Sequence, residues 1–310
     1  MKTYLVTGGC GFIGSHLTGA LVAAGHRVRI LDDLSTGRRE NAPREAEVIV
    51  GDVRDSAAVL AAFEGVDGCF HLAAIASVSR CNQDWAGSHA VNLTGTIHVF
   101  EAARTCSAPV VYASSAAVYG DNPSVPLTED AACQPISAYG ADKLGCELHG
   151  RVAALAHGVP NTGLRFFNVF GPRQAPDSPY AGVISIFADR IISGRELAIF
   201  GDGLQVRDFI YVDDAVRALI SAMDRKISIA ADIFNVCTGR PISILELAKS
   251  LGAAHGCEPR IAFAPARSSD IRISIGSPEK CDAALNLGPR KALKDGLSAT
   301  LAWLTAMRIA

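Results

Sequence analysis

Thr3-Tyr4-Leu5-Val6-Thr7-Gly8-Gly9-Cys10-Gly11-Phe12-Ile13-Gly14 decides the fold. Residues 3–7 are a short apolar run rich in β-branched and aromatic side chains, which predicts a buried strand. It feeds a glycine turn and then an apolar helix, predicted over 15–24 and stopped by Gly25. Strand, glycine turn and helix in that order build a site for a pyrophosphate. Gly8 permits the tight turn, Gly11 lets the backbone approach the phosphates, and Gly14 lets the helix pack closely on the strand. The free N–H groups of the first helical turn and the helix dipole then face negative charge. The spacing is G-x-x-G-x-x-G, one residue longer at the start than the usual G-x-G-x-x-G.

Outward from this stretch, strands are predicted over 28–31, 47–50, 68–72, 110–113 and 162–167, with helices over 56–63, 85–103 and 138–157. Alternating strands and helices imply a parallel sheet covered on both faces, with ligands at the C-terminal strand ends. After Gly171-Pro172 the rhythm changes to a Pro-containing loop over 172–182, a helix over 183–193, and strands over 196–200 and 208–211. A helix over 213–225, a strand over 233–236 and a helix over 244–255 follow. The expected architecture is α/β: a Rossmann-type doubly wound sheet over 1–170, then a smaller, interleaved substrate-binding lobe over 171–310. Some late segments return to the first domain.

Bulk composition narrows the function. Of 310 residues, 49% are hydrophobic and 19% charged, the balance of a globular chain. Lys and Arg number 29 against 31 acids, which argues against a basic nucleic-acid face. No apolar run reaches about eighteen residues, so no membrane span is expected. Met1-Lys2 leads straight into the first strand without a signal-peptide apolar region, so the expected location is cytoplasmic. The nine cysteines include no C-x-x-C pair and read as reduced, buried thiols, with no metal site expected.

Asp32 ends the second strand about twenty residues past the glycine turn, where a carboxylate accepts from both adenosine ribose hydroxyls and repels a 2′-phosphate. That favours NAD over NADP. Asp33 is equally suited to a turn, and Asp52-Val53 ends the third strand where an adenine edge lies. Tyr139 and Lys143 are four apart on a predicted helix and share a face. A fixed ammonium stabilises the phenolate form of a neighbouring phenol, so Tyr139 is a candidate base for a substrate hydroxyl as hydride leaves its carbon. Ser114-Ser115 ends the fifth strand at the same sheet edge, where Ser115 can bridge that oxygen and the tyrosine. His71, alone at a strand end, reads as a packed residue beside the cofactor.

In order along nearly the whole chain, the motifs are Thr7–Gly14, Leu31-Asp32-Asp33-Leu34-Ser35-Thr36-Gly37, Gly51-Asp52-Val53-Arg54-Asp55 and His71-Leu72-Ala73-Ala74. Ser114-Ser115-Ala116-Ala117-Val118-Tyr119-Gly120, Tyr139-Gly140-Ala141-Asp142-Lys143, Arg165-Phe166-Phe167-Asn168-Val169-Phe170-Gly171 and Arg207-Asp208-Phe209-Ile210-Tyr211-Val212-Asp213-Asp214 follow. This set resembles the extended short-chain dehydrogenases/reductases, the NAD-dependent sugar-nucleotide epimerase and dehydratase family. The resemblance implies that NAD lies against Gly8, Gly11, Phe12, Ile13, Gly14, Asp32, Asp33, Ser35, Gly37, Asp52, Val53, Leu72, Ala73, Ala74, Asn92, Tyr139, Lys143 and Phe166.

Family members that dehydrate or decarboxylate carry an acid just after the strand-end Ser/Thr pair; here Ala116 and Ala117 stand there. What remains is the outfit of a 4-epimerase. By resemblance, Tyr139 takes and returns the O4 proton, Ser115 holds O4, and Lys143 binds the nicotinamide ribose. Asn168, Arg207, Arg267 and Asp270 match positions that hold the diphosphate and uridine of a UDP-sugar. Phe200 matches one that stacks near the uracil, and Val183 lies where a loop meets the nucleotide. Paired guanidinium forks suit a diphosphate. Ser274 stands where a bulky aromatic excludes a C2 N-acetyl group in similar epimerases, so UDP-GlcNAc/UDP-GalNAc interconversion is expected, with plain hexoses as weaker substrates. A 4-ketoreductase, a UDP-uronic acid 4-epimerase and a non-catalytic nucleotide sensor are the rival readings. The family also pairs the helices here carrying Val91, Val99, Leu144, Leu148, Val152 and Leu155 into a four-helix homodimer interface; packing against the sheet is the alternative. Cys10 replaces a more frequent Ala, Cys237 a frequent Gly, with strain expected if that position has positive φ, and Ser277 an acid.

Overall fold

The computed structural model describes residues 1–178, 181–225, 231–266 and 271–309. Strands β1 (Thr3–Thr7), β2 (Arg27–Asp32), β3 (Glu47–Val50), β4 (Gly68–His71), β5 (Val110–Ser115) and β6 (Asn161–Phe166) alternate with helices α1 (Phe12–Ala23), α2 (Ser56–Ala62), α3 (Val78–Gln83), α4 (Trp85–His89), α5 (Gly95–Cys106) and α6 (Ala138–His157). The rest comprises β7 (Asn168–Phe170), α7 (Val183–Ile192), β8 (Leu197–Phe200), β9 (Val206–Tyr211), α8 (Val212–Asp224) and β10 (Ala231–Val236). β11 (Pro241–Ser243), α9 (Ile244–His255), β12 (Ile261–Ala264), β13 (Ile273–Ser274), α10 (Glu279–Leu285) and α11 (Leu293–Ile309) complete it.

Seven strands form one sheet in the order β10-β6-β5-β4-β1-β2-β3, every neighbouring pair parallel. β1, β4 and β6 are wholly or almost wholly buried, as strands covered on both faces must be. Leu17 and Leu21 of α1 pack with Leu219 and Met223 of α8 on one face. Val59 of α2, Val99 and Phe100 of α5 and Cys146 of α6 pack on the other. The chain reaches this sheet last with β10, beside β6, so the second half of the sequence completes the first half's sheet.

The smaller lobe is built on β9, which pairs antiparallel with β11 and parallel with β7 and β13. β8 and β12 pair beside it, and α7, α9 and α11 bury Phe187, Leu247 and Leu301 against β8 and β9. The strand β13 sets Ser274 directly opposite Arg207.

Two differences from the sequence reading have local causes. Helix α1 starts at Phe12, not 15, because Gly11 is its N-cap and its carbonyl accepts from Ser15 N–H at 3.0 Å. The helix predicted over 85–103 is α4 and α5 joined through a π-helical turn at Ala90–Thr94. Asn92 in that turn faces inward, its Oδ1 accepting from Ile75 N–H at 2.8 Å and its Nδ2 donating to Ile75 C=O at 3.2 Å. An extra residue per turn is how a helix re-aims one side chain without ending.

Candidate active site

A cavity of about 710 Å³ opens along the C-terminal ends of β1, β2, β4, β5 and β6, where a doubly wound sheet places its ligands. Gly8, Gly11, Phe12, Ile13, Gly14, Asp32, Asp33, Ser35, Gly37, Asp52, Val53, Leu72, Ala73, Ala74, Ser115, Tyr139, Lys143, Phe166, Asn168, Arg207 and Ser274 all line it. The sequence-read site is thus largely one surface. Asn92 does not line it: fully buried, it clasps Ile75. Val183 packs with the α7–α9–α11 cluster, and Phe200 lies at the end of β8, its carbonyl accepting from Gln205; neither lines the cavity. Arg267 and Asp270 lie outside the described residues.

The glycine turn is packed to the limit. A Cβ on Gly14 would lie 2.1 Å from the Gly8 carbonyl oxygen, and one on Gly8 2.8 Å from Ala73 N. Gly8 also has φ +69°, a conformation that only glycine adopts without penalty. Helix α1 has no side-chain N-cap and no acid in its first turn, so its opening N–H groups and its dipole face the cavity unneutralised. This cradle fits a pyrophosphate. Cys10 in the turn stays a neutral thiol, its pKa pushed up to about 11 by burial and then by the Asp32 charge.

Asp32 is 6% exposed. Its Oδ2 accepts from Cys10 N–H and its Oδ1 from Leu34 N–H, both at 2.9 Å. A Cβ on Gly37 would sit 2.8 Å from Oδ1, so Gly37 leaves the room a ribose needs. Burial raises the Asp32 pKa against those two bonds. Asp33, by contrast, accepts from Ser35 N–H and Oγ and closes its own turn. Asp52 is held below the usual carboxylate range by the hydrogen-bonded Arg54 guanidinium.

At the other end of the cavity, Lys143 is buried and donates from Nζ to the Ala113 carbonyl at 2.8 Å, which leaves its remaining protons free to point elsewhere. Its Nζ stands 5.9 Å from the Tyr139 ring centre. The Ser115 Oγ accepts from Ala117 N–H at 3.1 Å and caps the short turn Ala116–Tyr119. Ala116 and Ala117 both line the cavity beside it. A phenol, a lysine amine and a hydroxyl lining one cavity can move a single proton on a substrate oxygen.

Beneath this surface His71 is fixed in one tautomer. The Thr7 hydroxyl accepts from Leu72 N–H and Ala73 N–H, both at 3.2 Å, so its own proton goes to His71 Nδ1 at 2.7 Å. Nε2–H then donates to Thr96 Oγ1 at 3.0 Å, and Thr96 to the Asn92 carbonyl at 2.6 Å. Burial, then the nearby Lys143 charge, lowers the His71 pKa from 6.5 to about 3. The unfolded chain therefore binds more protons in that window, and the stability His71 contributes, complete above pH 6.5, is lost as pH falls toward 3. Between pH 7 and pH 4.5, the wild type should lose about 2–3 kcal/mol more unfolding free energy in urea than His71→Leu. Equal losses would refute the assignment.

Val78, Arg80 and Asp84 of the α3–α4 segment are lining residues that escaped the sequence reading, while Arg173 and Gln174, in the loop read over 172–182, line the cavity as well. Arg173 has φ +67° and donates to the Ser15 carbonyl at 3.1 Å, across the start of α1. No local pattern announces these contacts. Cys237 is unstrained, since positive φ falls on Gly239, two residues on. Among the described residues no group of three or more His, Cys, Asp or Glu is placed to hold a metal. No described helix is long and apolar enough to cross a membrane.

A doubly wound sheet with a glycine turn, a strand-end serine and a Tyr-x-x-x-Lys helix defines an extended short-chain dehydrogenase/reductase. Residues 4–237 match the NAD dependent epimerase/dehydratase family. UDP-glucose 4-epimerase of Mycolicibacterium smegmatis is 37% identical over 310 residues, spanning 97% of each chain. The crystal structure of UDP-glucose 4-epimerase with UDP-glucose from Thermotoga maritima has a TM-score of 0.95 at 35% identity, covering 99% of each chain. That of UDP-N-acetylglucosamine 4-epimerase from Methanobrevibacter ruminantium, in complex with UDP-N-acetylmuramic acid, has a TM-score of 0.92 at 33% identity, covering 99% of each chain. The chain belongs to the NAD-dependent epimerase/dehydratase family. It is an isomerase, and its cofactor is NAD.

Proposed function

We propose that the enzyme is a 4-epimerase of a UDP-sugar, acting foremost on UDP-GlcNAc and UDP-GalNAc and more weakly on the plain hexoses. One observation carries the reaction type: the cavity side chains that follow Ser115 are Ala116 and Ala117, which hold no second proton-handling group. Tyr139 removes the proton from the O4 hydroxyl and later returns it, Ser115 holds that oxygen, and Lys143 supports the phenolate. NAD supplies the hydride acceptor and donor at C4. Because one proton leaves and the same proton comes back, one base suffices. Asn168 and Arg207 line the cavity toward the smaller lobe and suit the diphosphate and uridine, a role extended to Arg267 and Asp270.

The sugar assignment rests on Ser274, whose small side chain lines the cavity opposite Arg207 on the neighbouring strand. Its size leaves room for an N-acetyl group at C2. Incubating the protein with each UDP-sugar, with no cofactor added, tests the whole reading. The expected result is the 4-epimer of both N-acetylated sugars. Turnover of UDP-glucose with neither N-acetyl sugar consumed would overturn the sugar assignment, and loss of NAD on desalting would favour a reductase.

We propose further that two copies pair through the exposed face of α6. The apolar stripe of α6 divides: Leu144 packs inward against the Val118–Phe167 cluster, while Leu148, Val152 and Leu155 are 60%, 50% and 69% exposed. Val91 and Val99 pack inward too, so only the α6 part of the stripe is open to a partner. Three large aliphatic side chains on one helix face are worth roughly 1.5–3 kcal/mol each when covered. Leu148→Arg should sediment as a monomer at concentrations where the wild type is a dimer; an unchanged dimer would exclude this face.

A further inference from the structure

Behind the catalytic edge lies a polar cluster that the proposed chemistry does not use. Tyr139, Lys143 and Glu147 stand on successive turns of one face of α6. Glu147 and Arg165 form a two-pronged pair: Nε donates to Oε1 at 2.8 Å and Nη2 to Oε2 at 2.7 Å. Both side chains are only 6% exposed. The Ser114 hydroxyl donates to the same Glu147 Oε1. Arg165 Nη1 donates to Tyr119 Oη at 2.8 Å and to the Glu129 carbonyl at 3.0 Å, and Tyr119 passes its proton to Asn235 Oδ1 at 2.7 Å.

Two charges this deep cost several kcal/mol each to desolvate, and a well-packed apolar pair of similar volume often serves stability equally well. Stability alone therefore does not account for the pair. Its contacts do. Ser114 immediately precedes Ser115, and Tyr119 ends the short turn that Ser115 caps. Holding Ser114 against Glu147 fixes the strand end one residue before Ser115.

We propose that the Glu147–Arg165 pair is the positioning device of the catalytic edge, anchoring the chain on both sides of Ser115 to the helix that carries Tyr139 and Lys143. It rests on the proposed 4-epimerase reading for what that edge does. Glu147 and Arg165 touch no reacting atom and act through Ser114 and Tyr119. An error of about 1 Å at a reacting oxygen costs on the order of a hundredfold in rate, so an ion pair that locks this geometry has a function that apolar packing cannot replace.

The test is the double variant Glu147→Leu with Arg165→Met, which removes both charges together and strands neither. It should fold and keep its NAD on desalting. kcat for the UDP-sugar should fall roughly ten- to a hundredfold, with KM changed by less than about threefold. Amide hydrogen exchange over 113–120 should speed up by about tenfold or more, with 3–14 unchanged. A kcat within about twofold of wild type, or unchanged exchange over 113–120, would overturn the proposal. If the double variant does not fold, Tyr119→Phe carries the test, since it cuts one anchor and leaves the ion pair. It should lower kcat about three- to tenfold and speed the same exchange, and no effect on either again overturns the proposal. Should the wild type epimerise no UDP-sugar while the exchange result holds, the functional reading falls and the anchoring stands.

Discussion

Tyr139→Phe should lower turnover about 10²- to 10⁴-fold, the range that a positioned proton-transfer group contributes. Substrate affinity should change little, because the ring remains and only the phenolic oxygen is lost. Lys143 is held by the Ala113 carbonyl independently of Tyr139, so this end of the cavity keeps its shape. NAD should survive desalting in the variant as in the wild type, read from the nicotinamide absorbance of the purified protein. A fully active Phe variant would remove Tyr139 from the mechanism.

Gly14→Ala should be as damaging, by a different route. The new methyl would stand 2.1 Å from the Gly8 carbonyl oxygen and 2.8 Å from the Gly9 Cα, both backbone atoms of the turn. In an open helix, alanine gains about 0.5–1 kcal/mol over glycine. Here overpacking costs about 1–3 kcal/mol or more, so the clash prevails. Helix α1 must shift from the turn, and the N–H groups that face the cavity shift with it. The purified variant should contain little NAD and unfold several degrees lower. An alanine variant with full NAD and an unchanged melting temperature would show that the turn opens freely.

These two sites were legible for different reasons. The glycine turn announces itself because strand, turn and helix are contiguous, and each residue's task is local. The Tyr139–Lys143 pair needs only the helical period, and Ser115 only the parallel topology that brings strand end and helix start together. What stayed hidden depends on contacts between distant segments. Asn92 is expected against the cofactor by resemblance, yet its amide matches the backbone of Ile75, and a π turn forms to reach it. The two-residue strand β13 is too short for any period, and only its pairing with β9 puts Ser274 at the cavity. Arg80 and Asp84 reach the cavity because α3 and α4 fold across it. The C-terminal helix α11 was legible and went unread, since Leu297, Leu301 and Leu304 recur at helical spacing and all three are buried.

The late return of β10 has a consequence for how the two halves were ever joined. All six residues of β6 are buried, and β10 covers its outer edge along its full length. A chain ended at residue 170 would expose a long apolar edge with open hydrogen-bonding groups, a template for aggregation. The first half of the chain is therefore no detachable cassette that could be lent to a different lobe.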